Sequence, residues 1–195
     1  DRQAMKIEVS LLVEWYLPHK RGRPLSDGEK QEYYAIWDAL IDSLADCENG
    51  LLLRDFHSPN ILWQQQNAGI RQVGLIDFQD AMIGPTAYDL ASIVQDARVT
   101  IEPGLQARLL SHYLESRRHT PSFDEAAFLK AFSIMSAQRN CKLAGIWVRL
   151  MERDGKPGYM KHMPRTFRYL AAALSHPELA PLRDWCLRMG MDFND

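Results

Sequence analysis

Cysteine is scarce in this chain of 195 residues. Cys47, Cys141 and Cys186 are odd in number and widely spaced. That excludes a disulfide framework and the paired spacing of a zinc site, and it suits a reducing, cytoplasmic setting. An excess of charge of one sign is also missing. Lys and Arg number 23 against 25 Asp and Glu, for a formal net charge of −2, so no basic footprint points to a nucleic-acid partner. Long apolar runs are absent too. The apolar segments fall far short of a bilayer span, and the first residues do not read as a secretory signal, so no membrane partner is expected. There are no internal repeats, and no glycine-rich loop has the spacing of a phosphate cradle. Gly155-Lys156-Pro157-Gly158 reads as a turn, because Pro follows the Lys and no strand precedes it.

What is present suffices for one solid core, with 46% apolar residues. Met5, Val9, Leu12, Val13 and Tyr16 recur near a 3.6-residue period and predict a helix over 4–17, followed by a Gly/Pro/basic loop from Pro18 to Asp27. Tyr33, Trp37, Leu40, Ile41 and Leu44 mark a second helix, capped by Ser26 or Asp27. Further helices are predicted over 86–97, 103–118, 123–151, 164–175 and 179–189. Between the two groups lies a different pattern. The apolar run Leu51-Leu52-Leu53 precedes Asp55. Asn60-Ile61-Leu62-Trp63 leads into a polar stretch ending at Gly69, and Val73-Gly74-Leu75-Ile76 precedes Asp77. This predicts a loop, a short strand, a turn and a second strand. The fold class is therefore α+β, mainly helical, with a small β-hairpin that carries Asn60 at its start and Asp77 at its end.

The residue types along that hairpin suggest a chemistry. Arg54-Asp55-Phe56-His57-Ser58-Pro59-Asn60 sets an Asp five positions before an Asn, and Leu75-Ile76-Asp77-Phe78-Gln79-Asp80 ends an apolar run on a second Asp. Taken alone, Asp-x-x-x-x-Asn is common in turns. Together the two blocks follow the order of parts that a kinase uses. Phosphoryl transfer needs a hydroxyl aligned with the γ-phosphate of a nucleotide such as ATP, and charge neutralised by metal. Mg²⁺ takes hard oxygen ligands and keeps several waters, so Asp77 and Asn60 would suffice from the protein. Asp55 would then orient the acceptor hydroxyl and take its proton. A third block, Gly84-Pro85-Thr86-Ala87-Tyr88-Asp89-Leu90-Ala91, opens a helix with Thr86 as N-cap. Asp89 is either a first-turn carboxylate favoured by the helix dipole or a support that accepts backbone N–H bonds from the Asp55 loop.

With all three blocks in view, the chain resembles the C-terminal lobe of the aminoglycoside phosphotransferase-like kinases, distant relatives of the protein kinases. Asp55, His57 and Asn60 match their catalytic loop, Asp77 their metal segment, and Asp89-Leu90-Ala91 their supporting helix. Leu53 departs from the pattern: the family often has a His there that braces the loop, so bracing must come from elsewhere. Within that family, Glu14-Trp15-Tyr16-Leu17, Gln138-Arg139-Asn140, Arg153 to Tyr159 and His176 to Leu182 resemble the bacterial kinases that phosphorylate N-acetylmuramate and N-acetylglucosamine at C1. The resemblance runs from Trp15 to Trp185.

It implies that residues 1–195 form a catalytic and substrate lobe, that ATP is the donor with Mg²⁺, and that a small-molecule sugar is the acceptor. No Lys in a Val-Ala-x-Lys setting precedes Asp55, so the nucleotide-covering N-terminal lobe is expected to be missing from this chain. The chain alone is expected to bind nucleotide poorly and turn over little.

Individual residues keep two readings. Leu62 and Ile76 form the apolar floor beneath adenine, or ordinary core. His57 touches phosphate or substrate, or is a loop His satisfied by backbone. Gln79 and Asp80 face the sugar, or Asp80 is a turn residue. Arg139 meets a carboxylated sugar, or belongs to a helix face paired with nearby acids. Trp15 and Tyr16 stack on a sugar or lie in the core, and Arg117-Arg118-His119 is expected to be a solvated helix end. Two rival functions stand beside the amino-sugar kinase. One is an aminoglycoside kinase, disfavoured because the later helices hold no dense acidic cluster for a polycation. The other is a degenerate binding module.

Overall fold

Helical backbone opens the chain. In the computed structural model, which describes residues 1–193, α1 (Arg2–Leu11) passes through a π-helical turn (Leu12–Tyr16) into α2 (Leu17–Arg21) without a break. This corrects the expected loop from Pro18. Pro18 has no N–H to give. The wide turn closes from the Leu17 N–H to the Leu12 carbonyl, so the ladder shifts register just before the residue that cannot donate. Gly22, at φ 66, ends the run in the left-handed region. Ser26 then starts α3 (Asp27–Asp42) with a capping box. Its hydroxyl accepts the Glu29 N–H, and the Glu29 carboxylate accepts the Ser26 N–H at 2.6 Å.

Two small antiparallel sheets follow. β1 (Asn49–Leu52) pairs with β4 (Met82–Pro85), Leu52 lying opposite Met82. β2 (Ile61–Trp63) pairs with β3 (Val73–Leu75), Ile61 lying opposite Leu75. The first sheet joins segments far apart in sequence, and four-residue strands leave too little alternation to announce it. The remaining helices are α4 (Ala87–Val94), α5 (Pro103–Arg117), α6 (Glu125–Glu152), α7 (Met163–Leu174) and α8 (Ala180–Arg188).

Three local expectations are corrected. α4 stops at Val94 rather than 97, because the Asp96 carboxylate accepts the N–H groups of Arg98 and Val99 at 2.7 and 2.9 Å and folds the chain into a turn. Thr86 does not cap α4. Its backbone is already helical, and its hydroxyl donates instead to the Glu48 carboxylate at 2.8 Å. Arg117 is not a solvated end. It pairs with Glu48 and lies over the Phe123 ring at 5.8 Å. Arg118 alone of that pair is exposed, bonded to Glu125 at 3.1 Å.

α6 is the spine, with α1, the π-helical turn, α4 and α7 packed on it. Gly145 permits this: a Cβ there would stand 2.1 Å from the Leu11 carbonyl oxygen. Tyr33, Trp37, Phe128 and Trp185 fill the core. Tyr16 is buried against Phe167, with ring centroids 5.0 Å apart, and Trp15 packs against the same core. The core reading of both holds.

Candidate active site

β1 delivers the chain to the loop that holds Asp55, and acceptors from elsewhere pin that loop. The Asp89 carboxylate, on the first turn of α4, accepts the N–H groups of Leu53 and Arg54 at 2.6 and 3.0 Å. The Asp96 carboxylate, wholly buried, accepts the Ser58 N–H at 2.7 Å. Inside the loop the Asp55 carbonyl is the hub. It accepts from the His57 backbone N–H at 3.1 Å, from His57 Nδ1 at 2.8 Å and from Asn60 Nδ2 at 2.9 Å. The brace that Leu53 cannot supply is thus spread over Asp89, Asp96 and this hub.

Arg54 takes φ 65, left-handed backbone that a non-glycine residue adopts at a cost of roughly 1–3 kcal/mol. Its guanidinium is held by Glu8 of α1 at 2.7 Å. The same carboxylate accepts Lys142 at 2.6 Å and Gln138 at 2.7 Å from α6. Burial works to raise the Glu8 carboxyl, but Lys142, Gln138 and Arg54 outweigh it and hold the group below the usual carboxylate range. The first helix, the spine and the Asp55 loop therefore meet at one charged cluster.

The hairpin brings the other two residues together. Asn60 stands just before β2 and Asp77 just after β3. Asn60 Nδ2 lies 3.2 Å from Asp77 Oδ2, and Gln79 Nε2 donates to Asp77 Oδ1 at 2.8 Å. The bond from Gln79 is the main cause that lowers the Asp77 carboxyl; weak burial opposes it, and Asn60, His57 and Arg98 add to it. Asp77 has φ 62, a second strained non-glycine position, within this same site. With both amide hydrogens of Asn60 engaged, its Oδ1 accepts no hydrogen bond among the described residues. A carboxylate beside a free amide oxygen is a hard donor set that fits Mg²⁺. Among the described residues no group of three or more His, Cys, Asp or Glu forms a closed metal cage.

A cavity of about 230 Å³ opens beside the loop. Asp55, His57, Arg98, Arg139 and Lys142 supply its polar lining, while Leu143, Ile146, Trp147 and Tyr159 supply an apolar one. The Trp147 and Tyr159 rings stack 5.7 Å apart at 10°.

The family model of the phosphotransferase enzyme family (APH) matches residues 2–129, a span that includes Glu8, the Asp55 loop, the hairpin and α4. The chain belongs to that family. Curated relatives match over more of its length. It is 34% identical over 190 residues to the N-acetylmuramate/N-acetylglucosamine kinase of Caulobacter vibrioides, covering 95% of this chain and 50% of that protein. Identity to the proteins of the same name from Pseudomonas aeruginosa and Neisseria meningitidis is 34% and 35%, each over 188 residues, covering 93% of this chain and 54% of theirs. The chain spans about half the length of the curated relatives it matches.

In this phosphotransferase family member the remaining sequence expectations resolve unevenly. Leu62 and Ile76 are each 46% exposed, so they are not ordinary core. They share one face of the hairpin, and Trp63, Val73 and Leu75 are exposed on the other. Neither Gln79 nor Asp80 lines the cavity; both are exposed, Gln79 is spent on Asp77, and Asp80 sits in a turn. Arg139 does line it and belongs to no paired helix face. Glu8 is a site residue that the motif blocks do not include. The signal was there: it falls among Met5, Val9 and Leu12, on the apolar face of α1, where an acid needs a partner. No helix among the described residues is long and apolar enough to cross a membrane.

Proposed function

We propose that this chain is the catalytic and substrate lobe of a kinase that moves the γ-phosphoryl group of ATP to the anomeric hydroxyl of an amino sugar. The observation that carries the reading is the meeting of three residues distant in sequence. One carboxamide, Asn60, touches both the Asp55 carbonyl and the Asp77 carboxylate. The relatives' names supply the acceptor class. The exposed strip around Leu62 and Ile76 would meet the adenine and a nucleotide-covering lobe supplied from outside these residues.

In the proposed reaction the sugar oxygen attacks the γ-phosphorus, the bond to the β-bridging oxygen breaks, ADP leaves, and the hydroxyl proton passes to the Asp55 carboxylate. That carboxylate accepts no hydrogen bond among the described residues, so it is available. Mg²⁺, held by Asn60 Oδ1 and Asp77, would supply charge neutralisation at the phosphates. The anomeric hydroxyl is more acidic than an ordinary alcohol, so Asp55 has mainly to orient it and receive a late proton.

The test uses the intact protein with Mg-ATP and a panel of N-acetylmuramate, N-acetylglucosamine, choline, homoserine and kanamycin, with the product located by NMR. Phosphate is expected at C1 of the amino sugars. Asp55→Asn is expected to cut turnover by roughly 10²–10⁴ with an unchanged melting temperature. Asp77→Ala should also remove metal-dependent nucleotide binding, read by calorimetry. Phosphate on kanamycin alone would overturn the acceptor, and full metal-dependent binding in Asp77→Ala would overturn the metal ligands.

A further inference from the structure

One buried cation in the site makes no ion pair among the described residues. Lys142 is held by Glu8 at 2.6 Å and Arg54 by the same carboxylate at 2.7 Å. Arg98, at the cavity mouth, is exposed to solvent. Arg139 differs from all three. It is only 5% exposed, and it donates no hydrogen bond and pairs with no carboxylate within 4 Å among the described residues; its Nε is shut off from solvent. Its charge reaches Asp89, but the oxygens of Asp89 are already engaged by the Leu53 and Arg54 N–H groups. Desolvating a guanidinium is costly unless an anion meets it, and the fork of a guanidinium matches a carboxylate in two parallel bonds. Arg139 lines the cavity that Asp55 also lines.

The same lining has a second unmatched group. His57, 6% exposed, meets the Asp55 carbonyl through Nδ1 at 2.8 Å, so Nδ1 carries the proton. In the neutral ring Nε2 is then an acceptor, and it has no partner. Nε2 is shut off from solvent, so a sugar hydroxyl would reach it only with a shift of the ring. Half-buried Tyr159, stacked on the buried Trp147, adds an aromatic surface suited to the apolar side of a pyranose.

We infer that this cavity is built for an amino sugar that bears a carboxylate, and that Arg139 is the residue that reads it. The inference rests on the reading of the cavity as the acceptor site and adds the chemical class the site prefers. N-acetylmuramate is N-acetylglucosamine with a lactyl ether, so the two sugars share a ring and differ by one carboxylate arm. Arg139 belongs to substrate binding, not to the proton transfer at Asp55.

The experiment is calorimetric binding to the intact protein, comparing N-acetylmuramate with its methyl ester and with N-acetylglucosamine. The free acid is expected to bind roughly 10- to 100-fold more tightly than the ester. Arg139→Gln should erase that difference by weakening the acid alone, and Arg139→Lys should restore part of it. In turnover, Arg139→Gln should raise KM for the acid roughly 10- to 100-fold more than KM for N-acetylglucosamine, with the effect in KM rather than in kcat. Equal binding of acid and ester by the unsubstituted protein would overturn the inference, and that comparison needs no variant to fold. A loss in Arg139→Gln that is equal for the acid and for N-acetylglucosamine would also overturn it, because it would mark Arg139 as a scaffold residue. Tight acid-selective binding without phosphorylation would instead sink the kinase reading and leave the carboxylate site standing. Phosphorylation of both sugars without acid selectivity would do the reverse.

Discussion

The loop from Leu53 to Asn60 and the hairpin from Ile61 to Asp77 are consecutive in sequence and held in opposite ways. Acceptors from α4 and the turn after it pin the loop's backbone at three N–H groups, and Glu8 of α1 grips its arginine. The hairpin shows Leu62, Trp63, Ile70, Val73, Leu75 and Ile76 to solvent. Its tie to the loop is the backbone bond from Ile76 to the Asn60 carbonyl at 3.1 Å and the contact between Asn60 and Asp77. The difference teaches where rigidity is spent. The residue proposed to handle the proton sits on a braced loop. The residue proposed to hold metal sits at the end of a segment whose face bearing Leu62 and Ile76 is left exposed among the described residues. Placement of Asp77 is therefore expected to depend on what covers that face, and placement of Asp55 is not.

The largest expected effect comes from cutting the brace. Asp89→Ala removes the acceptor for two backbone N–H groups, one of them on the strained Arg54. Leaving such donors unmatched is expected to cost about 2–4 kcal/mol, read as a lower denaturant midpoint with an unchanged slope. Turnover should fall with it, because Arg54 and Asp55 lose their register. A midpoint within experimental scatter of the parent would mean that the loop is held by its internal hub alone.

A smaller effect should come from Asp96, and it carries a pH signature. Burial works to raise the Asp96 carboxyl, but the bonds from Ser58, Arg98 and Val99 together hold it below the usual range. A folded-state pKa below the unfolded one contributes stability that is fully present above the unfolded value, about 3.9, and is lost as the pH falls through the lowered folded value. Asp89 has the opposite sign, because burial outweighs its two backbone bonds and raises its pKa. The proton-linked part of its contribution is fully present below the unfolded value and is lost as the pH rises through the raised one; the two backbone bonds that Asp89→Ala removes are separate from it. Asp96→Asn is therefore expected to cost about 1–2 kcal/mol at neutral pH and to flatten the acid limb of a stability-against-pH curve. An acid limb identical to the parent's would show that Asp96 does not carry the difference.

Much of this arrangement was legible in the sequence, and the parts that were not share a cause. Periodicity placed the second helix and the long spine within a few residues, because each repeats its apolar face over several turns. The spacing of Asp55, Asn60 and Asp77 marked the hairpin because turn residues and β-type segments are local signals. The errors are non-local. The early stop of α4 depends on an aspartate closing a turn, and the β1–β4 sheet on a pairing across the whole hairpin. Pro18 reads as a breaker until the π-helical turn before it shifts the ladder. Arg117 reads as a surface charge until Glu48 comes near it. At the site, adjacency to Asp77 suggests Gln79 and Asp80 as sugar contacts, yet they sit in a turn and do not line the cavity that Arg139 lines from α6, and the turn reading of Asp80 holds. Adjacency in sequence predicts proximity to a ligand poorly wherever the chain turns.

The smallest effect on stability and the sharpest test of the contrast lie in the hairpin. Leu62 is 46% exposed, so Leu62→Ser removes little area from the core, and the expected change in stability is within about 0.5 kcal/mol. If the strip receives the nucleotide, the same substitution should raise KM for ATP several-fold in the intact protein and leave KM for the sugar unchanged. The braced loop supplies the control, since Asp55→Asn should lower kcat with little change in KM for ATP. An effect of Leu62→Ser on the sugar's KM instead, with ATP unaffected, would move the nucleotide off this face and erase the division of labour between loop and hairpin.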